Sequence, residues 1–451
     1  MTSHPALGRH PLAIIGALLA TVSAVVFCAL LIAALMGLLN NPYAGLVVFV
    51  IIPAFFVLGL LLIPLGMWLQ RRKLQRRPDA AADWPVLDFR SPRVRKTTLA
   101  IAALTAFNLV ILLLAGYGSL HWMESPTFCG QACHTPMRPQ FTAWQVAAHG
   151  RVPCVTCHVG EGASGFLHAK LSGVRQLVEV STNTFPRPIP PGAGMPAGAQ
   201  AQTCGTCHQP GRVAGDQIRV VREYADDEQN TETMTVLQMF MGPASASGRS
   251  IHWHADPNVR VEYVSTDAKN ETIPYVKVTN ASGQVKEFRA ADVTDQTIAA
   301  GPLQRMDCID CHNTVGHPIS QSPERAVDGA IADGLISRQL PFVRREGVKL
   351  VSATYSTEDE ASAAIERGLR AFYDSRGGMD QQAVARSAAA LQEVYRRNVF
   401  LDMKVAWGAY PTNRGHMTST GCFRCHDESH TAKDGSTISA DCEYCHKQVE
   451  R

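Results

Sequence analysis

At 451 residues the chain is too long for one ordinary domain. Charged residues make up 18% and hydrophobic ones 46%, against roughly 25% charged in soluble domains, and the mean hydropathy of −0.03 averages an apolar front with a polar remainder. The net charge of +3 hides an asymmetry: residues 1–120 carry 10 Lys+Arg against 3 Asp+Glu. The slightly acidic remainder has no basic excess to neutralise phosphates, which excludes a nucleic-acid partner there, and the front excludes a simple soluble enzyme.

Three runs in the front carry no charge at all: residues 12–39, 45–69 and 98–120. Each exceeds the ~20 apolar residues that cross a bilayer core. The first is about twice the apolar core of a secretory signal and has no small-residue cleavage site after it, and Cys28 within it reads as an inert thiol. Pro53 and Pro64 in the second run require neighbours that satisfy the carbonyls they free. Between runs two and three stand Arg71, Arg72, Lys73, Arg76, Arg77, Arg90, Arg93, Arg95 and Lys96. The positive-inside rule puts this loop, residues 70–97, in the cytoplasm with the amino terminus. Everything after residue 120 is then outside, on the non-cytoplasmic face of the membrane.

Twelve of the 13 cysteines follow residue 128 in six pairs. Five pairs are Cys-x-x-Cys-His: Cys154, Cys157 and His158; Cys204, Cys207 and His208; Cys308, Cys311 and His312; Cys422, Cys425 and His426; Cys442, Cys445 and His446. This run is the attachment signature of covalent haem c. Two thiols add to the vinyl groups and the adjoining histidine binds iron. Zinc ribbons need no histidine at the next position every time, and disulfides need none at all. The sixth pair, Cys129 and Cys133 with His134, has three intervening residues and is followed by Met137; either His134 or Met137 is the expected iron ligand there. Six haem c groups are therefore expected. Histidines outside the motifs outnumber the six distal positions, which points to two-histidine coordination and electron transfer rather than catalysis at an open iron. The expected distal ligands are His149, His317, His416 and His430, placed four to six residues from motif residues, and one of His252 and His254, with His254 preferred.

Further along, residues 259–265, 273–279 and 285–288 alternate apolar and polar around the turn at Asn280-Ala-Ser-Gly283 and predict a small β meander. Residues 322–340, 357–376 and 381–400 predict helices, and the Pro/Gly-rich stretch 186–201 a connector. The expected fold class is an α-helical membrane anchor of three transmembrane helices plus a loop-rich, mainly α multihaem cytochrome c domain with a small β insertion. The expected domains are the anchor at 1–120, a first haem domain with three haems at 121–210, the β-containing insertion at 211–300, and a C-terminal domain with three haems at 301–451.

The segments Phe128-Cys-Gly-Gln-Ala-Cys-His134, Ala148-His-Gly-Arg-Val-Pro-Cys-Val-Thr-Cys-His158 and Lys170-Leu-Ser-Gly-Val-Arg-Gln176 resemble the NapC/NirT/NrfH family of membrane-anchored quinol dehydrogenases. With Ile251-His-Trp-His254 and Gly421-Cys-Phe-Arg-Cys-His426, the whole chain is similar to the longer inner-membrane multihaem cytochromes of that family. Short members have one membrane helix and a first motif one residue tighter on both sides of its second cysteine. The resemblance implies a quinol site at the first haem, with Lys170 as its lysine and Arg175 and Gln176 beside it. A cation near the hydroxyl stabilises the developing quinolate and a carboxylate takes the proton; Glu179 and Glu161 are the candidates. The function implied is quinol oxidation at the periplasmic membrane surface, drawing on the membrane quinol pool and passing electrons along the haems to a periplasmic cytochrome or reductase. The alternative is a non-catalytic electron-relay subunit of a larger respiratory complex, with its extra helices docked on other membrane subunits.

Overall fold

The computed structural model describes residues 10–36, 38–39, 44–75, 89–159, 162–190, 200–208, 215–242, 250–267 and 269–449. The centre of the basic loop, Glu161 and most of the Pro/Gly connector lie outside the described residues. The chain separates into two compact units, residues 1–133 and 134–451.

The first unit holds three helices, each long and apolar enough to cross a membrane. Helix α1 (Pro11–Leu35) starts at a proline, and the His10 ring accepts from the Leu12 amide at 3.2 Å. Helix α2 (Ile52–Gln75) is preceded by a wide turn at Val47–Ile51, and α3 spans Pro92–Met123. The wide turn has a local cause. Pro53 lacks an N–H, so the Phe49 carbonyl four residues earlier loses its helical donor. The Ser119 hydroxyl of α3 reaches that carbonyl instead, which is the kind of repair a proline within a membrane helix requires. Helices α1 and α2 approach through small residues: a Cβ on Gly59 would stand 2.6 Å from the Ala20 amide nitrogen, and one on Gly66 2.5 Å from that of Ala13. Close backbone approach through small residues is how helices associate where lipid removes the hydrophobic drive between them. Phe27, Val48, Phe56, Ile111 and Ala115 fill the seam of the three helices.

The second unit opens with α4 (His134–Gln145) and α5 (Gly162–Ser181). Two antiparallel sheets follow. A hairpin, β1 (Gln217–Tyr224) and β2 (Glu232–Met239), is joined by β8 (His446–Gln448) in the order β1-β2-β8. The second sheet runs β6-β3-β4-β5-β7, from β3 (Arg260–Val264), β4 (Tyr275–Thr279), β5 (Val285–Arg289), β6 (Gln304–Arg305) and β7 (Thr431–Ala432). The expected meander is therefore present as β3–β5. The hairpin β1–β2 was not foreseen, although Gln217–Tyr224 has the β-branched content of a strand. Strands β6, β7 and β8 pair with β3, β5 and β2, so backbone hydrogen bonds stitch residues 301–451 onto 211–300.

Four helices without a haem motif complete the unit: α6 (Pro323–Ala332), α7 (Val343–Ser352), α8 (Glu358–Asp374) and α9 (Gln381–Asn398). Ser322, Thr357 and Asp380 cap α6, α8 and α9 by accepting from the amides of Arg325, Glu360 and Gln382, the end signals that satisfy otherwise orphaned donors. The stretch expected as one helix over 322–340 stops at Ala332, followed by Gly334 in the left-handed region at φ +71°, and α7 is an addition. Val327, Ile365, Leu369, Tyr373, Val384 and Leu391 form a solvent-free core. Buried Asn230, at φ +48° in the β1–β2 turn, fastens this bundle to the hairpin. Its side-chain amide donates to the carbonyls of Arg338 and Leu340 at 3.0 and 2.9 Å, and its oxygen accepts from the Arg344 amide at 3.0 Å. Leu391→Ala should cost about 2–5 kcal/mol through the cavity it leaves, read as a lower midpoint in chemical denaturation followed by helical signal; an unchanged midpoint would show that the bundle does not limit stability.

Candidate haem centres

Each five-residue motif lies on a short helical turn. Cys154–His158 and Cys308–Cys311 are one-turn α-helices; Gly421–Arg424 and Cys442–Tyr444 are 3₁₀ turns; Cys204 ends the helix Gln200–Gly205. A turn of helix brings the two cysteines onto one side with the histidine just beyond. No cysteine is held in a disulfide. Burial pushes the Cys308 and Cys425 thiols up to about 12, which keeps them neutral.

Every one of these five motif histidines faces a histidine from elsewhere in the chain. The ring centroids are 6.1 Å apart for His158 and His317, 5.9 Å for His208 and His149, and 6.4 Å for His312 and His252. They are 5.8 Å apart for His426 and His254, and 6.1 Å for His446 and His416. Metal–imidazole bonds of about 2 Å on each side place two ring centroids roughly 6 Å apart. The gaps are thus the size that an iron ligated from both faces requires. On four of the ten rings the second nitrogen is also accounted for. Nδ1–H of His317 donates to the Gln140 carbonyl at 2.9 Å, that of His252 to Met241 at 3.1 Å, that of His254 to Ile251 at 3.0 Å, and that of His426 to Ser439 at 2.8 Å. Such carbonyl partners fix the tautomer that leaves Nε2 available to a metal. Burial lowers the pKa of His254, His312, His317 and His446 and holds them in the neutral, ligating form.

Two expectations change. His430, four residues after His426, does not face a motif histidine. It is 2% exposed, Nε2 bonds to the Ile273 carbonyl at 2.7 Å and Nδ1 to the Asp427 carboxylate at 3.0 Å. Both nitrogens are spent tying the motif loop to the β sheet, so proximity in sequence misled. The choice between His252 and His254 also dissolves. Both sit on the single 3₁₀ turn Ile251–Ala255 and face different motifs. The alternation His-x-His was the signal that could have revealed this, because neighbours two apart on a tight turn diverge. At the irregular motif, Cys129 lies in the wide helical turn Phe128–Ala132, followed by Cys133, and α4 begins at His134 with Met137 one turn on. The His134 side chain lies outside the described residues.

Neighbouring motifs touch in chain order. Cys157 lies close to Cys207, and the thiols of Cys204 and Cys308 are in hydrogen-bond contact. The Arg424 guanidinium donates to the Asp310 carbonyl at 2.9 Å, and Cys422 neighbours Cys445. His416, facing the last motif, stacks on Phe423 of the preceding one with centroids 4.5 Å apart. The five regular motifs therefore form an unbroken row.

The residues expected at a quinol site share α5 but not one face of it. Phe166, Lys170, Val174 and Leu177 recur at helical spacing. They lie among exposed Leu167, Leu171 and Val178, with Leu171 and Leu177 each 64% exposed. Lys170 Nζ lies 4.9 Å from the centre of the Phe166 ring. Arg175 and Gln176 fall on other sides of the helix. Arg175 pairs with Glu179 at 3.5 Å, and Gln176 donates to Ser172 at 3.3 Å. Lys170 alone stands within the apolar face.

Residues 91–188 match the N-terminal region of the NapC/NirT cytochrome c family. The chain is 36% identical over 453 residues to the cytochrome c-type protein ImcH of Geobacter sulfurreducens, covering 98% of this chain and 88% of that protein. No solved structure matches it. Covalently bound haem c, a helical membrane anchor and electron transfer accompany that kinship, and a mainly α second unit with a small β portion agrees with it. The chain belongs to the NapC/NirT cytochrome c family.

Proposed function

We propose that the protein is a quinol dehydrogenase with six covalently bound haem c groups, oxidising quinol at the periplasmic surface of the inner membrane and delivering the electrons to a periplasmic redox partner. The observation that carries this reading is the row of five histidine pairs, each with its gap sized for iron and contiguous with the next. Bound haem supplies reversible one-electron storage, and two-histidine ligation favours transfer over substrate binding.

In this reading His158, His208, His312, His426 and His446 hold iron from the motif side. Their distal partners, in the same order, are His317, His149, His252, His254 and His416. Cys129 and Cys133 anchor the sixth group, with His134 or Met137 toward its iron. The carbonyls of Gln140, Met241, Ile251 and Ser439 orient four of the rings. The basic residues between α2 and α3 support a cytoplasmic loop and therefore a periplasmic outer unit.

Quinol oxidation releases two electrons and two protons, and the residues must stabilise the anion that forms as the first proton leaves. Lys170 suits that role. Its ammonium stands in an exposed apolar face where a hydrophobic quinol partitions, and the Phe166 ring holds it from below. Arg175 and Glu179 satisfy each other at the flank of that face.

The purified protein mixed with a reduced quinol analogue should show haem reduction, and Lys170→Ala should slow it roughly 10²-fold with Lys170→Arg recovering part. Absence of any reduction in the parent protein would overturn the dehydrogenase reading, and unchanged kinetics in K170A would remove Lys170 from the site. The ligand assignment has a separate readout in electron paramagnetic resonance. His252→Ala and His254→Ala should each convert a different low-spin centre to high spin, whereas His430→Ala should convert none; a high-spin signal in H430A would contradict the assignment.

A further inference from the structure

Two of the proposed centres, those on Cys308–His312 and Cys422–His426, are joined more intimately than the others. A single turn, Ile251–Ala255, offers a histidine to each, with Trp253 between them at 5.5 Å from the His254 ring. On the motif side the join is made by Arg424, which lies between Cys422 and Cys425 and is 8% exposed. Its guanidinium donates to the Gly421 carbonyl at 2.8 Å, to that of Asn270 at 2.7 Å, and to that of Asp310, inside the neighbouring motif, at 2.9 Å. All three acceptors are uncharged carbonyls, and among the described residues no ion pair forms with it. The Asp310 carboxylate nearby is already engaged: it accepts from the Tyr263 hydroxyl at 2.7 Å and from the Asp307 amide at 2.6 Å. Burying a guanidinium with carbonyl dipoles as its hydrogen-bond acceptors is costly. Carbonyl bonding alone could be met by a neutral donor, so the retained charge calls for an electrostatic account.

We propose that Arg424 is a positioning residue that raises the reduction potential of the two centres it joins. This deepens the function proposed above and rests on haem being bound at both motifs. The physics is Coulombic. Reduction of Fe(III) to Fe(II) by one quinol-derived electron removes one positive charge from the iron, so a fixed cation destabilises the oxidised form more than the reduced form. The effect is largest where water is excluded, and Arg424 is buried between the motifs. The Asp310 carboxylate acts in the opposite sense on the same two centres.

The test is a spectroelectrochemical titration of the detergent-solubilised full chain, with covalent haem counted by intact mass. In Arg424→Gln two of the one-electron components should move to lower potential, by a tenfold fall in the Fe(II)/Fe(III) ratio at fixed applied potential, equivalent to 59 mV; Arg424→Lys should restore most of the shift. Asp310→Asn should move the same two components upward. Full haem content with unmoved midpoints in R424Q would overturn the proposal, as would all components moving together. If R424Q fails to load haem, D310N decides, and no upward shift there refutes it. Missing haem at these motifs in the parent protein would instead refute the ligand reading, a distinct failure visible in the mass alone.

Discussion

The second unit is organised around bringing histidines from distant segments into pairs, each joining a motif histidine to one from elsewhere in the chain. Five pairs of histidine rings stand with their centroids 5.8–6.4 Å apart, the separation at which one metal ion can be bound by both rings. Backbone carbonyls anchor four of the ten rings by Nδ1, and those carbonyls belong to α4, the residues just after β2, the turn Ile251–Ala255 and the loop before Asp441. Ligand geometry is in this way delegated to the backbone, which is stiffer than any side chain and better able to position a ring to a few tenths of an ångström.

That constraint explains the topology. His317 lies far along the chain from the motif it faces, and its Nδ1 is fastened to Gln140 in α4. His252 and His254 come from a segment that neither of their motifs contains. Strands β6, β7 and β8 run directly into or out of motif loops and pair them to earlier strands. The sheets therefore act as braces between centres rather than as a separate insertion. The bundle α6–α9, which carries no cysteine pair, supplies a conventional apolar core. It is tied back through Asn230 and the Arg344 ion pair with Asp226 at 2.8 Å.

Legibility was greatest where one local physical requirement acts. Uncharged runs long enough for a bilayer, thiol pairs followed by histidine, and the helical patterns over 357–376 and 381–400 were read without any tertiary information. The site was read unevenly. The proposed motif ligands follow from a covalent spacing rule. The reading of His430 as a ligand failed because distance along the chain was used as a surrogate for distance in space; the loop turns its ring into the sheet, where a carbonyl and a carboxylate take both nitrogens. Arg175 and Gln176 were grouped with Lys170 by adjacency, yet helical periodicity separates them.

The amino-acid order alone determined the class of molecule: where it meets lipid, how many thiol pairs await a porphyrin, and that its chemistry is electron transfer. These are local properties, set by apolar length, by motif spacing and by composition. Which histidine faces which motif, that the motifs adjoin in a row, that one turn serves two of them, and that Arg424 lies buried between those two were decided only by the folded chain. Each is a relation between segments far apart in sequence, and such relations are fixed by packing and backbone hydrogen bonding that no single segment encodes.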